Sequence, residues 1–341
     1  MATKMLNFSI VISAYTGAET IEGTFKGLLD QLPANVKYEV VLVIDGPQPA
    51  IEQSAEAARS KFESKQIPFT IRRLKNNVGR FEARIIGVKQ AKHQQILFVD
   101  DRVQLANNFL RALTKLNKKT ALGNVIEVSQ NSTNVISQTL FLLRRRVYGK
   151  KWGRDFKDYY IDEHNFEASP KGTTSLWVNK QAFLQICEDI APASTSNKYV
   201  NEDTKIMRQL VEGGDRIFRS SSLKVYYQPR ISFWGAAQHL YQRGPRFVDY
   251  YLKPGTRFFP LLVSIYGLLA ILVLAIIIQP FWLFWVLAAV VASVLLIGLV
   301  VSRNLTELMT SLAGLPLVLL FFSLGILKGT AVRLTNRTQS R

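Results

Sequence analysis

The chain has 341 residues, 43 basic against 25 acidic side chains, and 48% apolar residues. That composition excludes a disordered chain, because apolar and aromatic residues in this proportion build a core. Their distribution excludes a purely soluble protein. No charged residue occurs in 258–302 or in 308–327, and about 20 charge-free residues in a helix cross a bilayer core of about 30 Å.

The first 130 residues alternate strand-like and helix-like segments. Residues 8–14 (FSIVISA) read as a buried strand ending at Tyr15-Thr16-Gly17. Residues 18–31 read as a helix, with Ile21, Phe25, Leu28 and Leu29 at three- and four-residue spacing. Residues 38–44 (YEVVLVI) form a second strand, closed by Asp45-Gly46-Pro47. A helix over 50–64, a weaker strand over 69–74, a helix over 80–91 and a strand over 96–99 follow, the last ending at Asp100-Asp101. Continuous apolar strands separated by helices predict an α/β fold with a mostly parallel sheet covered on both faces. Ligands of such sheets bind beyond the carboxyl ends of the strands, where Asp45 and Asp100 fall.

Residues 141–171 crowd Arg144, Arg145, Arg146, Lys150, Lys151, Arg154 and Lys157 with Trp152, Phe156, Tyr159 and Tyr160. This mixture reads either as a solvated loop or as a surface for lipid headgroups or an anionic acceptor. Residues 232–257 mix aromatics with Arg243, Arg246, Lys253 and Arg257 and read as an interfacial segment. Two membrane spans are expected at 258–278 and 281–301, joined at Gln279-Pro280. A third, 308–327, is long enough to cross, although Gly314-Leu315-Pro316 interrupts it and the basic tail 328–341 would then lie outside; either it re-enters without crossing or it overrides the positive-inside tendency, and three spans are expected. The expected domains are thus a head over 1–231, the interfacial segment, the spans within 258–327 and the tail.

Residues 258–341 carry five basic side chains (Arg303, Lys328, Arg333, Arg337, Arg341) and one acid (Glu307), so the first 257 residues carry +14 of the net +18. A basic head fixed to a membrane is expected on the cytoplasmic side of a multi-pass cell-membrane protein. Nucleic acid is not an expected partner. The first residues show no signal-peptide pattern. The one cysteine, Cys187, excludes an internal disulfide and reads as a buried apolar residue. The histidines, His93, His164 and His239, have no metal-ligand spacing.

Five motifs, in order, resemble glycosyltransferase family 2. The opening Ser9-Ile10-Val11-Ile12-Ser13-Ala14-Tyr15 is similar to the family's first strand and nucleotide-facing aromatic. Val43-Ile44-Asp45-Gly46 resembles the strand that ends in a paired-Asp-Gly turn, with Ile44 in place of one Asp. Asn77-Val78-Gly79, Ala83-Arg84 and Gly87 follow the pattern N-x-G-x-x-x-A-R-x-x-G. Asp100-Asp101-Arg102 falls at the D-x-D signature, and Glu202-Asp203 at the E-D pair before Arg208, Leu210 and Gly213. The resemblance runs from about Phe8 to Tyr251.

It implies the GT-A fold, a membrane-attached inverting glycosyltransferase and a nucleotide-sugar donor. Departure of the diphosphate leaves charge to stabilise, and an acceptor hydroxyl needs a base as it attacks. By resemblance Asp203 is that base and Glu202 its neighbour. Ala14, Tyr15, Asp45, Gly79, Arg84, Asp100, Asp101 and Arg102 would meet the donor. Asp100 and Asp101 would hold a divalent cation, Mg2+ or Mn2+.

The D-x-D position departs from the family, because a guanidinium offers no oxygen to a hard cation. Asp101 substitutes as ligand, or another acid does, or Arg102 itself offsets diphosphate charge. Residues 172–183 (GTTSLWVNKQAF), with Trp177, are similar to the acceptor-side strand and helix. His239-Leu240-Tyr241-Gln242-Arg243-Gly244 lies where processive relatives carry Q-x-x-R-W. Gly244 replaces its Trp and Leu240 its Gln, which speaks against polymer synthesis, while Arg243 would either touch the donor diphosphate or serve the membrane interface. The expected acceptor is a hydroxyl on a lipid-linked or membrane-near glycan. The alternatives are transfer to polyprenyl phosphate and a non-catalytic nucleotide-binding subunit.

Overall fold

A computed structural model describes residues 5–31, 33, 36–116, 118–127, 134–153, 156–190 and 199–339, the last four of these by their backbone alone. Arg154 and Arg341 lie outside the described residues, as does the side chain of Arg337. The chain divides into two units, residues 1–128 with 150–229, and residues 129–149 with 230–341.

The first unit is built on a mixed sheet of nine strands among the described residues. β1 (Leu6–Ala14) lies between β2 (Val36–Ile44) and β4 (Gln95–Phe98), parallel to both, and β3 (Phe69–Arg73) extends the parallel half beyond β2. β1 and β2 pair in full register from Leu6↔Val36 to Ala14↔Ile44, so the two strands end level. On the other side of β4 come β8 (Leu176–Asn179), antiparallel, then β6 (Ala121–Glu127), β9 (Ile217–Tyr227) and β5 (Val103–Leu105), while β7 (Tyr159–Ile161) pairs with β9.

Strand alternation divides the core into two layers. Phe8, Ile10 and Ile12 of β1 point to one face. There they meet Phe25 and Leu28 of α1 (Ile21–Leu29), Ile51 and Phe62 of α2 (Pro49–Ser64), and Phe109 of α4 (Phe109–Thr114). Val11, Val41 and Val43 point to the other face. They meet Phe81 and Val88 of α3 (Arg80–Gln90), Phe183 of α6 (Lys180–Ile190) and Met207 of α7 (Glu202–Glu212). Each such side chain contributes about 1.5–3 kcal/mol by leaving water. Cys187 is buried in this second layer, and burial pushes its thiol up to about 12, as an inert apolar residue requires.

The basic and aromatic residues of 141–171 do not form one loop. Arg144, Arg145 and Arg146 end a helix, α5 (Val135–Tyr148), that belongs to the second unit. Phe156 is buried beneath Arg219, and Tyr160 packs against Lys118 and Arg216 at 5.2 and 4.5 Å, so these rings are engaged by cations of the first unit itself.

The second unit gathers α5 with α8 (Phe233–Tyr251), α9 (Phe259–Ile278), α10 (Trp282–Val301) and α11 (Leu305–Gln339). Three of its segments, Phe259–Ile278, Trp282–Val301 and Leu305–Thr335, are long and apolar enough to cross a membrane. The third apolar segment runs through Pro316 and continues across the expected tail as one helix to Gln339. Glycines let helices close on one another. A Cβ on Gly244 would stand 2.1 Å from the backbone of Gly325, and one on Gly329 would stand 2.6 Å from Pro245.

Candidate active site

Because β1 and β2 end level, the residues after them emerge side by side. The Asp45 amide donates to the Ala14 carbonyl at 2.9 Å. Ala14 is buried, whereas Tyr15 turns its ring outward at 43% exposure. The buried Asp45 carboxylate accepts from the amides of Val78 at 2.7 Å and Gly79 at 3.0 Å. Gly46 has φ 90°, and a Cβ there would lie 3.0 Å from the Asn77 amide. The D-G and N-V-G motifs therefore form one joint, and that joint sets the start of α3. Gly79 takes φ 90° and ψ 156°, a conformation essentially reserved for glycine.

From that start, Arg80 and Arg84 fall four residues apart on one face of α3. Arg84 is 2% exposed and sits over the Phe98 ring. It donates to Asp100 Oδ1 at 2.8 Å, to Thr173 Oγ1 at 2.7 Å and to Asp203 Oδ1 at 3.1 Å. Arg80 donates to Glu202 and, at 2.7 Å, to Asp203 Oδ2, and lies 3.7 Å from Asp100 Oδ2. Thr173 also donates to Asp203. The two acids open α7, where Asn201 caps the helix and the macrodipole favours negative charge.

Three carboxylates thus face two guanidinium groups. Burial by itself would raise the Asp203 pKa, but the charges of Arg80 and Arg84, with bonds from Thr173 and Arg84, hold it well below the usual carboxylate range. Burial opposes the Arg80 charge in turn, and Asp203, Glu202 and Asp100 outweigh it. Glu202 is 2% exposed at its side chain and Asp203 20%, so Asp203 is the acid an incoming molecule can reach.

The D-D-R turn is stitched to the turn after β1. Asp101 Oδ2 accepts the Tyr15 amide at 3.2 Å, Thr20 donates to the Asp101 carbonyl, and Arg102 donates to the Thr16 carbonyl at 2.7 Å. A Cβ on Gly17 would overlap the Asp101 carboxyl, hence the glycine. Arg102 is buried, and its Nε and Nη1 have no hydrogen-bond partner among the described residues.

A hard cation needs oxygen ligands, and no group of three His, Cys, Asp or Glu among the described residues could hold one. Asp101 is committed to the Tyr15 amide, and Arg102 supplies no oxygen. Asp100 Oδ2, outside bonding distance of Arg80, fits a cation shared with a ligand's own oxygens, and the net negative charge of the cluster favours one.

One expected residue falls elsewhere. Trp177 points to the sheet face opposite α3 and α7, since its neighbours Leu176 and Val178 take the near face. It packs edge-on to Phe8 and donates to the Lys118 carbonyl at 3.1 Å, so it serves the core rather than an acceptor. Arg243 lies on α8 in the second unit and is exposed. Sequence reasoning passed over Arg80 and Thr173. The R-x-x-x-R spacing was the available signal for Arg80, and Thr173 lay within the 172–183 motif without being singled out.

The sheet with helices on both faces, its strand ends collecting acids and arginines, is of the GT-A class of glycosyltransferase folds, as its likeness to solved structures of that class shows. The sequence matches glycosyl transferase family 2 over residues 9–182, just over half of the chain, and the protein belongs to that family. It is accordingly a nucleotide-sugar glycosyltransferase. No curated protein sequence matches it. Among solved structures it is similar to S. aureus TarS 1–349 in complex with UDP-GlcNAc, at 14% identity and TM-score 0.51, over 98% of this chain and 92% of that one. It is also similar to S. aureus TarS 1–349 crystallised without a named ligand, at 15% identity and TM-score 0.48, over 73% and 74%. GalNAc-T7 with UDP, GalNAc and Mn2+ matches at 13% and 0.48, over 74% of this chain and 53% of that one. These likenesses concern the fold.

Proposed function

We propose that the protein is a membrane-anchored, inverting glycosyltransferase that moves one sugar from a nucleotide donor to a hydroxyl of a lipid-linked or membrane-near glycan, with Asp203 as general base. The observation that carries this reading is the single bridge of Arg84 between Asp100 and Asp203, which joins the donor-side and acceptor-side motifs of the family at one edge of the sheet.

Tyr15, exposed at the strand ends, suits stacking on the base. Asp45 accepts from the amides of Val78 and Gly79 and so fixes the turn on the donor side of the site. A cation held by Asp100 would offset charge on the leaving diphosphate. Asp203 is ionised at neutral pH, so it can take the acceptor's proton while the hydroxyl oxygen bonds to the anomeric carbon. The bond to the diphosphate breaks on the opposite face, and its electron pair leaves with the nucleotide. Arg80 must first quit Asp203 Oδ2, and at 30% side-chain exposure it has room to do so. Arg84, fully buried, keeps Oδ1 in place. Tethering serves proximity, since a lipid-borne acceptor meets an anchored site at high effective concentration.

The test is Asp203→Asn in purified full-length protein, assayed with a panel of nucleotide sugars and lipid extract. Turnover should fall about 10²–10⁴-fold, the scale of a lost general base, while the donor-induced rise in melting temperature persists. A fall of less than about tenfold would indicate an acceptor that is already an anion, such as a polyprenyl phosphate, and would remove the base from the mechanism.

A further inference from the structure

The third apolar helix differs from the other two in what touches it. α9 and α10 are lipid-like on nearly all sides, with few buried residues. α11 carries α8 and α5 along one face. Phe322 meets Phe247 at 5.4 Å, Lys328 sits over Tyr241 at 4.9 Å, and the Thr310 carbonyl accepts from Thr139. Glu307 pairs with Arg145 through two bonds of 2.7 and 2.6 Å.

The ends of α11 are equally telling. Its first turns lie beside the last turns of α10, where Ser302 and Ser311 hydroxyls are 3.2 Å apart and a Cβ on Gly298 would be 3.0 Å from Leu312. Its last turns lie beside the beginning of α9. The Tyr266 and Thr330 hydroxyls are 2.6 Å apart, and Arg333 donates to the Val248 carbonyl just ahead of α9. Pro254, Phe259, Thr330 and Arg333 line a common cavity of about 230 Å³. If α9 and α10 cross and return, the start of the first and the end of the second share one side of the membrane. Both ends of α11 sit at that side. A helix that crossed would finish beside Ile278 instead.

Charge makes the same point. α8 holds Arg243, Arg246 and Asp249, and α5 holds Arg144, Arg145 and Arg146. Carrying them to mid-bilayer with α11 would strip ionised side chains of water, which the hydrocarbon core penalises. The uncovered face of α11 presents Met309, Leu320, Leu324, Leu327 and Leu334, an apolar stripe opposite a face packed on charged helices. That is the division expected of a helix lying in the interface, sunk about 5–10 Å.

We propose that only α9 and α10 span the membrane, and that α11 lies along one face of it with its leucine stripe seated in lipid and α5 and α8 packed on its other side. This reading differs from the third crossing expected of the sequence. The proposal goes beyond the catalytic reading and stands apart from it.

Full-length protein in native membranes tests this with single cysteines, the buried Cys187 being silent to reagents. Lys253→Cys, Gln279→Cys and Arg341→Cys would be labelled with a membrane-impermeant maleimide in sealed cells and in inverted vesicles. Lys253→Cys and Arg341→Cys should react from the same side and Gln279→Cys from the other. Reaction of Arg341→Cys on the Gln279 side would overturn the proposal. In a second arm, a fluorophore on Leu324→Cys should be quenched more by phospholipids labelled near the headgroup than by those labelled at the chain end, with the reverse for Leu269→Cys on α9. Quenching of Leu324→Cys chiefly by the deep label, or by neither, would also overturn it, the latter outcome placing protein against the stripe.

Discussion

Arg80 is the residue whose position says most about the site. Its guanidinium occupies the space between Asp100, Glu202 and Asp203, and it is the more exposed of the two arginines on α3. The Asp203 pKa is depressed chiefly because Arg80 and Arg84 outweigh burial. An acid with a depressed folded pKa adds stability above its unfolded pKa of about 3.9 and loses it as pH falls toward the folded value. Removing Arg80 weakens the force that keeps the carboxylate charged, so the pKa moves up. In Arg80→Gln the acid limb of the pH–rate profile should therefore shift to higher pH, with activity at alkaline pH affected less than at acid pH. Profiles of the two proteins that superimpose would show that Asp203 ionisation does not govern the rate. Asp100 argues for a cation shared with the donor. Chelator should abolish transfer by the wild type, with Mn2+ or Mg2+ restoring it, and full activity in excess chelator would assign the diphosphate charge to arginines alone.

At the scale of elements, α3 is the part the site depends on. Its register is set by Asp45 gripping the amides ahead of it, and its distance from the sheet by Gly87, where a Cβ would lie 2.6 Å from Val11. Gly79→Ala would force alanine into a backbone region that costs about 1–3 kcal/mol. The melting temperature should drop by several degrees, and turnover should fall further than stability alone explains, because Arg80 and Arg84 move with the helix. An unchanged melting temperature would mean that the joint tolerates another conformation. The N-x-G-x-x-x-A-R-x-x-G pattern was readable as a motif, and these contacts state its physical content. A glycine turns the chain, the next turn delivers the arginines, and a second glycine lets the helix approach.

For the whole molecule, the division of the chain does not follow the order of the sequence. α5 is inserted between β6 and β7 yet packs in the second unit, burying Ile136 with Ala236, Ala237, Leu240 and Val318. Cutting the chain after Pro229 would leave that helix with its apolar face in water. Such a truncation should aggregate on size-exclusion chromatography. A version that also replaces 129–149 by a short polar linker should run as a monomer, and equal behaviour of the two would contradict this account. Apolar composition alone left open whether the third segment crosses or re-enters. Composition does not report which faces are covered by α5 and α8, and that information is tertiary.

Strand periodicity, the charge-free runs and the five ordered motifs determined the parallel half of the sheet, the helices long and apolar enough to cross a membrane and the family, because each is written in local spacing that the backbone must obey. The pairing of Arg80 with acids over 120 residues away, the turning of Trp177 into the opposite layer and the packing of α5 and α8 on α11 were decided only by tertiary structure. Long-range partners are chosen by packing and by the cost of leaving buried charge unmatched, and neither quantity is carried by any short stretch of the chain.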